Sequence, residues 1–146
     1  MEKIIEEVPL NIHGDFVLIQ DAKFNLIDNA LDAIDKKDKA IKDKELPEPE
    51  GGFKGRITVK IYREVPWAII KIQDNGIGMT KEQLDRLFVP FFTTKATSTK
   101  GTGLGLFVIW EIIKHHKGTI QVESEYGRGS TFTIRLPLRL QEGEEN

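Results

Sequence analysis

The stretch Asp74-Asn75-Gly76-Ile77-Gly78-Met79 directly follows the apolar run of residues 67–72, and it constrains the interpretation of the whole chain. A carboxylate at the end of a strand can accept a hydrogen bond from an amine, for example the exocyclic amine of adenine. Glycines just after the carboxylate let the backbone turn sharply and let a flat ligand lie against it. Because Asp-Asn-Gly is also favourable turn chemistry, the segment alone leaves two interpretations open, a tight turn and a purine pocket.

Strand and helix patterns surround this segment. Alternating and β-branched runs predict strands, and apolar residues at three- to five-residue steps predict helices. Asp15 is the expected N-cap of the first helix, and Thr80 with Gln83 forms a capping-box pattern. Several adjacent strands are expected to pair antiparallel, which predicts an α+β fold, a sheet with helices on one face. The expected elements are strands over residues 3–10, 56–63, 67–74, 118–124 and 130–138 and helices over residues 15–39, 80–87 and 104–115.

Length and composition exclude several classes of protein. The 146 residues fit one domain, which we assign to residues 1–140, followed by an acidic tail over residues 141–146. The net charge of -2 gives no broad positive surface for nucleic acid, and the absence of cysteine excludes disulfides and Cys-ligated zinc. No stretch approaches the roughly 20 apolar residues of a membrane span. We therefore expect a cytoplasmic segment without membrane contact, although a longer parent protein could cross a membrane.

Two asparagines share one face of the first predicted helix. Asn25 and Asn29 are four residues apart and flank the core-like pair Leu26-Ile27. Carboxamides beside an apolar stripe are costly to bury without partners, so they indicate a polar ligand such as hydrated Mg²⁺ with phosphates. The alternative is a pair of asparagines that are solvent-exposed or bonded to each other.

A glycine-rich segment, Gly101-Thr102-Gly103-Leu104-Gly105-Leu106, opens the last predicted helix. Glycines at this position expose backbone N–H groups to an anion at the positive end of the helix. The segment matches neither a Walker loop nor the G-x-G-x-x-G pattern. It therefore predicts either a phosphate cradle or a flexible hinge.

An irregular stretch precedes those glycines and contains Phe88-Val89-Pro90-Phe91-Phe92-Thr93-Thr94-Lys95. Long irregular loops beside a site act as lids, so we expect a lid over about residues 88–102, with Thr94 and Lys95 facing phosphates. Core packing of the phenylalanines and a solvated lysine are the alternatives.

The order of the asparagine helix, DNGIGM, LFVPFFTTK and GTGLGL resembles the ATP-binding catalytic domain of bacterial sensor histidine kinases. That domain belongs to the wider superfamily of gyrase, heat-shock chaperone, histidine kinase and mismatch-repair ATPases. The resemblance runs from Asp15 to the final strand at residues 129–137, nearly the whole chain. It implies a two-layer α/β sandwich (the Bergerat fold), with a mixed, mostly antiparallel sheet of about five strands, about three helices on one face and a mobile ATP lid.

The resemblance also implies residues that bind ATP or ADP with Mg²⁺. Asp74 is expected to bind the adenine amine, Asn29 to hold Mg²⁺ and Asn25 to support phosphate or metal. Lys95 is expected to reach phosphate from the lid, so Asn25, Asn29 and Lys95 are the implied catalytic set. The other implied contacts are Gly76, Ile77, Gly78 and Met79 at the base, Thr94 in the lid, and Gly101, Thr102, Gly103, Leu104, Gly105 and Leu106 at the phosphates.

One adenine contact stays open between two neighbouring hydroxyls. The resemblance implies that Ser130 or Thr131 touches adenine directly or through water. Alternation along a strand lets only one of them face the pocket, and Ser130 shares the face of Phe132.

Asn25 bears on the reaction that this chain supports. Relatives that hydrolyse ATP typically place a glutamate four residues before the metal-binding asparagine, where this chain has Asn25. A carboxamide cannot act as a general base, which favours phosphoryl transfer over hydrolysis. The alternatives are an anti-sigma-type serine kinase, a nucleotide-dependent regulatory binding module and, third, a clamp ATPase.

The family's phosphate acceptor is a histidine on a separate dimerisation domain. None of the three histidines here, His13, His115 and His116, has the expected sequence setting. We therefore expect the acceptor domain to lie elsewhere, with a response regulator downstream and this chain alone as a monomer.

Overall fold

The structure, a computed structural model, describes residues 2–7, 16–88 and 105–138, with side chains from residues 20–88 and 106–138. Within these residues the strands are β1 Glu2–Glu7, β2 Arg56–Glu64, β3 Trp67–Asp74, β4 Thr119–Glu125 and β5 Gly129–Pro137, and the helices are α1 Phe16–Lys42, α2 Lys81–Asp85 and α3 Gly105–His115. The predicted N-cap at Asp15 and the acidic tail lie outside the described residues.

The five strands form one mixed sheet in the order β1-β2-β3-β5-β4. β1 pairs in parallel with β2, and the other three pairs are antiparallel. The predicted class and strand pairing are therefore confirmed. The element limits differ by a few residues, because α1 continues to Lys42 and β1 ends at Glu7.

One face of the sheet carries the core. Every second residue of β5 from Ser130 to Leu136 is buried, as alternation along a strand requires. These side chains meet buried residues of α1 and α3, so both helices lie on the same face. The central members of this core are Leu26, Ala30, Ile57, Ile70, Ile72, Ile109, Ile113, Phe132, Ile134 and Leu136.

The helix ends follow local backbone chemistry. Thr80 caps α2, its hydroxyl accepting from the Gln83 N–H while the Gln83 side chain accepts from the Thr80 N–H, which confirms the capping box. The two longer helices end differently, each with a lysine in the left-handed region, Lys44 at φ 63° and Lys117 at φ 62°. The residue after each lysine donates its N–H five residues back, the bond that defines a Schellman motif.

Candidate functional site

The sheet brings the end of β3 against the start of β5. Asp74 pairs with Ser130 across these strands, and Gln73 pairs with Thr131. Asp74 and Ser130 lie on the core face with Ile72 and Phe132, and both are buried. Thr131 lies on the opposite face, so Ser130, and not Thr131, shares the face of the Asp74 carboxylate.

Asp74 is a buried carboxylate held by backbone amides. Its side chain accepts from the Gly76 N–H at 2.8 Å, and the residue is 7% exposed. Burial raises the pKa of Asp74 to about 6, against the opposing effects of the Gly76 and Ser130 amides and of the Lys37 charge. The group is therefore mostly ionised at neutral pH and can accept a hydrogen bond from an amine.

Gly76 and Gly78 are needed because their neighbours leave no room for a side chain. A Cβ on Gly76 would lie 2.6 Å from the Ala33 carbonyl carbon of α1. Gly78 has φ +72°, and a Cβ there would overlap the Glu125 carbonyl oxygen at the end of β4. The loop between them is tied to α1, since the Ile77 N–H donates to the Ala33 carbonyl at 2.9 Å.

Asn75 connects the same loop to the start of β2. Its Oδ1 accepts from the Arg56 N–H at 2.7 Å, and its Nδ2 donates to the Lys54 carbonyl at 2.9 Å. The Asp-Asn-Gly turn is thus real, and it also supports the buried carboxylate. The two interpretations of this segment are compatible.

Ser124 belongs to the same hydrogen-bonded cluster, and the sequence did not reveal it. Its Oγ accepts from the Met79 N–H at 2.8 Å, donates to the Gly129 carbonyl at 2.9 Å and lies 2.7 Å from Ser130 Oγ. We call Asp74, Gly76, Gly78, Ser124, Gly129 and Ser130 the base wall. Met79 and Ser124 are 45 positions apart, so no local pattern could have joined them.

The predicted asparagines lie on the adjoining helix. Asn25 is exposed and Asn29 is half-buried and engaged by other groups of the protein. Four residues of an α-helix make slightly more than one turn and advance about 6 Å, so Asn25, Asn29 and Ala33 form an inclined row along α1. Ala33, the last of the three, lies against Gly76. We call these three residues the helix wall. Their carboxamide oxygens are suitable ligands for a hard cation that keeps several waters.

Lys37 extends that row towards the base wall, and sequence reasoning missed it. It stands among alternating lysines and aspartates, and such charge runs are usually solvated, so no pattern singled it out. In the structure its Nζ lies 5.0 Å from the centroid of the Phe53 ring. Burial lowers the pKa of Lys37, and the Asp74 charge opposes that effect. The charge of Lys37 therefore acts on the Asp74 carboxylate.

Only part of the predicted phosphate-binding segment lies within the described residues. Leu106 is half-buried against the core, and Gly105 is the first residue of α3. The remaining predictions there, Thr94, Lys95, Gly101, Thr102, Gly103 and Leu104, lie outside the described residues. Within the described residues no group of three or more His, Cys, Asp and Glu side chains is placed to hold a metal ion.

Solved structures share this architecture. A mycobacterial sensor histidine kinase, MprB, superposes with a TM-score of 0.71 at 26% identity, covering 96% of this chain and 85% of that one. The catalytic domain of histidine kinase ThkA superposes with a TM-score of 0.68 at 26% identity, covering 93% of this chain and 78% of that one. The fold is therefore that of a histidine kinase catalytic domain.

Sequence comparison gives the same family. The profile described as "Histidine kinase-, DNA gyrase B-, and HSP90-like ATPase" matches residues 14–140. The chain belongs to this ATPase family, as the resemblance predicted, and the family binds ATP.

The curated relatives are larger sensor kinases. Sporulation kinase B of Bacillus subtilis is 38% identical over 134 residues, which cover 92% of this chain and 27% of that protein. Sensor histidine kinase ZraS of Escherichia coli is 46% identical over 89 residues, which cover 61% of this chain and 18% of that protein. The chain thus spans about a quarter or less of these relatives. None of the helices that the structure describes is long and apolar enough to cross a membrane.

Proposed function

We propose that this chain binds Mg-ATP and donates the γ-phosphate to a histidine on a separate dimerisation and phosphoacceptor domain, as the catalytic part of a two-component sensor histidine kinase. The observation that carries the proposal is the base wall. A buried, ionised carboxylate at a strand end stands beside a serine hydroxyl, and the two glycines let the following loop pack directly against α1 and the end of β4.

In this proposal the base wall binds adenine. Asp74 accepts from the exocyclic amine, and Ser130 rather than Thr131 makes the second contact, because Ser130 shares the carboxylate's face. Ile77 and Met79 contribute backbone and apolar contacts around the ring. The amides on Asp74 hold its carboxylate in place before the ligand arrives, which limits the ordering cost of binding.

The helix wall serves the phosphates. Asn29 holds Mg²⁺ through its carboxamide oxygen, and Asn25 supports a phosphate or the ion's waters. The ion, when bound, neutralises charge on the phosphate oxygens. Thr94 and Lys95 from the lid, with Gly101, Thr102, Gly103, Leu104, Gly105 and Leu106 at the α3 N-terminus, complete the phosphate contacts in this proposal.

Asn25 favours transfer over hydrolysis. It lies on the exposed side of α1, four residues before Asn29, and it cannot take a proton from water. The site therefore positions phosphates and stabilises charge, which is most of what phosphoryl transfer requires. The acceptor histidine belongs to the separate dimerisation and phosphoacceptor domain, and a response regulator receives the phosphate next.

Calorimetric titration with ADP and ATP, with and without Mg²⁺, tests the binding part of the proposal. We expect saturable one-site binding of both nucleotides and tighter binding with the ion. A flat titration at high protein concentration, with a cooperative thermal transition showing that the protein is folded, would falsify the pocket.

Transfer is tested by mixing the chain with γ-labelled ATP and a phosphoacceptor domain from a relative such as sporulation kinase B. We expect the label on the domain to be lost in acid and retained in base, as phosphohistidine requires. Acid-stable label would instead indicate a serine kinase of the anti-sigma type. Steady phosphate release by the chain alone would point to a clamp ATPase.

A further inference from the structure

Ser124 joins three groups of the base wall through a single hydroxyl. It meets the Met79 N–H at 2.8 Å, the Gly129 carbonyl at 2.9 Å and the Ser130 hydroxyl at 2.7 Å. A serine hydroxyl has one hydrogen to donate and two lone pairs to accept with. Three contacts therefore use its full capacity.

The donor and acceptor are certain in the bonds to Met79 and Gly129, and these two bonds determine which serine is the donor in the third. The Met79 N–H can only donate, and the Gly129 carbonyl can only accept, so the single hydrogen of Ser124 points to Gly129. Ser130 must then be the donor in the pair of serines. Its hydrogen points at Ser124, and only its lone pairs remain for a ligand.

Asp74 adds a second acceptor beside that hydroxyl. The two residues are paired across β3 and β5 on the same face of the sheet. An ionised carboxylate has no hydrogen to offer. The side chains of Asp74 and Ser130 therefore have lone pairs, and no hydrogen, left for a further partner.

We propose that Ser124 is a specificity-determining positioning residue, which fixes the Ser130 hydroxyl as an acceptor so that the wall selects a 6-amino purine over a 6-oxo purine. This inference rests on the proposed function, since it needs the base to lie against Asp74 and Ser130. An exocyclic amine supplies two N–H donors at position 6, directly or through one water. A 6-oxo purine has a carbonyl oxygen there, which meets lone pairs, and its N1–H donor lies one ring position away.

The test compares ADP with inosine 5′-diphosphate, which replaces the amine by a carbonyl and changes N1 from an acceptor to an N–H donor. Binding of both is measured by calorimetry at pH 7.5 for the wild type, Ser124→Ala and Ser130→Ala. In Ser124→Ala the Ser130 hydrogen is free to turn and donate to the carbonyl, so the preference for ADP falls about tenfold. Thr133→Ala removes a hydroxyl from the opposite face of β5 and leaves the preference unchanged.

Two further comparisons test whether Ser124 orients the Ser130 hydroxyl or only supports the structure of the base wall. Ser124→Thr and Ser124→Val have nearly the same shape and differ by the hydroxyl, so threonine keeps the preference and valine loses it. Ser124→Ala combined with Ser130→Ala shows the same preference as Ser130→Ala alone, because Ser124 acts only through Ser130.

The outcomes are distinct. Equal weakening of both nucleotides in Ser124→Ala and Ser124→Val would mean that Ser124 only braces the wall, which overturns the inference. If those variants no longer show a cooperative thermal transition, Ser130→Ala is the deciding variant. A greater loss of affinity for the inosine nucleotide than for ADP would mean that Ser130 donates to the base, which overturns the inference. A wild type that binds neither nucleotide sinks the proposed function instead.

Discussion

The base wall and the helix wall are built in different ways. In the base wall, backbone groups and buried side chains from four segments touch each other, and its glycines have no space for a Cβ. In the helix wall, Asn25 and Asn29 are side chains on a helix that would form without them. Changes in the base wall should therefore affect folding and binding together, whereas changes to the asparagines should affect mainly binding.

The largest expected effect is at Gly78. Gly78→Ala combines a left-handed backbone with overlap against Glu125, and we expect it to lower the free energy of unfolding by about 3 kcal/mol or more. Gly51→Ala is the matched control, because Gly51 also has positive φ, +80°, but nothing lies within 4 Å of its would-be Cβ. It should cost about 1 kcal/mol. Urea denaturation of both variants measures the difference, and equal losses would contradict the close packing assigned to Gly78.

The next effect is at Asp74. Asp74→Asn removes the charged acceptor, and we expect it to weaken ADP binding about a hundredfold at pH 7.5. Fluorescence or calorimetric titration measures the loss, with Asp85→Asn on exposed α2 as a charge-matched control. A variant that binds ADP as the wild type does would remove Asp74 from the base contact.

Asp74 also makes stability depend on pH in an unusual direction. Its pKa is raised from 3.8 to about 6, so the folded state binds the proton more tightly than the unfolded chain. The free energy of unfolding should therefore fall as pH rises from about 4 to 6, by roughly 3 kcal/mol at most relative to Asp74→Asn. ADP affinity should rise over the same range, because only the ionised acid accepts from an amine. Parallel pH profiles of stability for both proteins would refute the raised pKa.

A smaller effect, confined to binding, is expected at Asn29. Asn29→Ala should lower affinity for ATP about tenfold with Mg²⁺ and change it little without the ion. Its melting temperature should stay close to that of the wild type, since the better helix propensity of alanine offsets the interaction that Asn29 makes with the protein. A large fall in melting temperature would show that Asn29, like the base wall, is needed for folding, and would contradict the comparison of the two walls.

The smallest expected effect is a gain of stability far from the site. Lys44→Gly relieves a left-handed lysine at the end of α1 and should raise the free energy of unfolding by about 1 kcal/mol. Denaturant titration measures this gain, and ADP affinity should not change. No gain at Lys44 would mean that left-handed backbone costs less here than the Gly51 and Gly78 estimates assume.

Much of the fold followed from local patterns, but the base wall needed long-range contacts. Alternation in β3 and β5 predicted both strands, and Asp74 at a strand end was visible at once. Alternation also divided Ser130 from Thr131, yet it could not say which face Asp74 shares until the strand register was known. Lys37 was missed because charge runs are usually solvated, and its Phe53 contact arises only when the following loop folds back.

Under the proposed function, the buried acid at the end of β3 places nucleotide and hydrogen ions in competition. A ligand that needs the ionised form of Asp74 must expel a proton whenever the free protein holds one, which near pH 6 is about half of the molecules. The measured heat of binding there will depend on the ionisation enthalpy of the buffer. The proposed contact between Asp74 and adenine thus couples the domain's affinity to acidity through one carboxyl group.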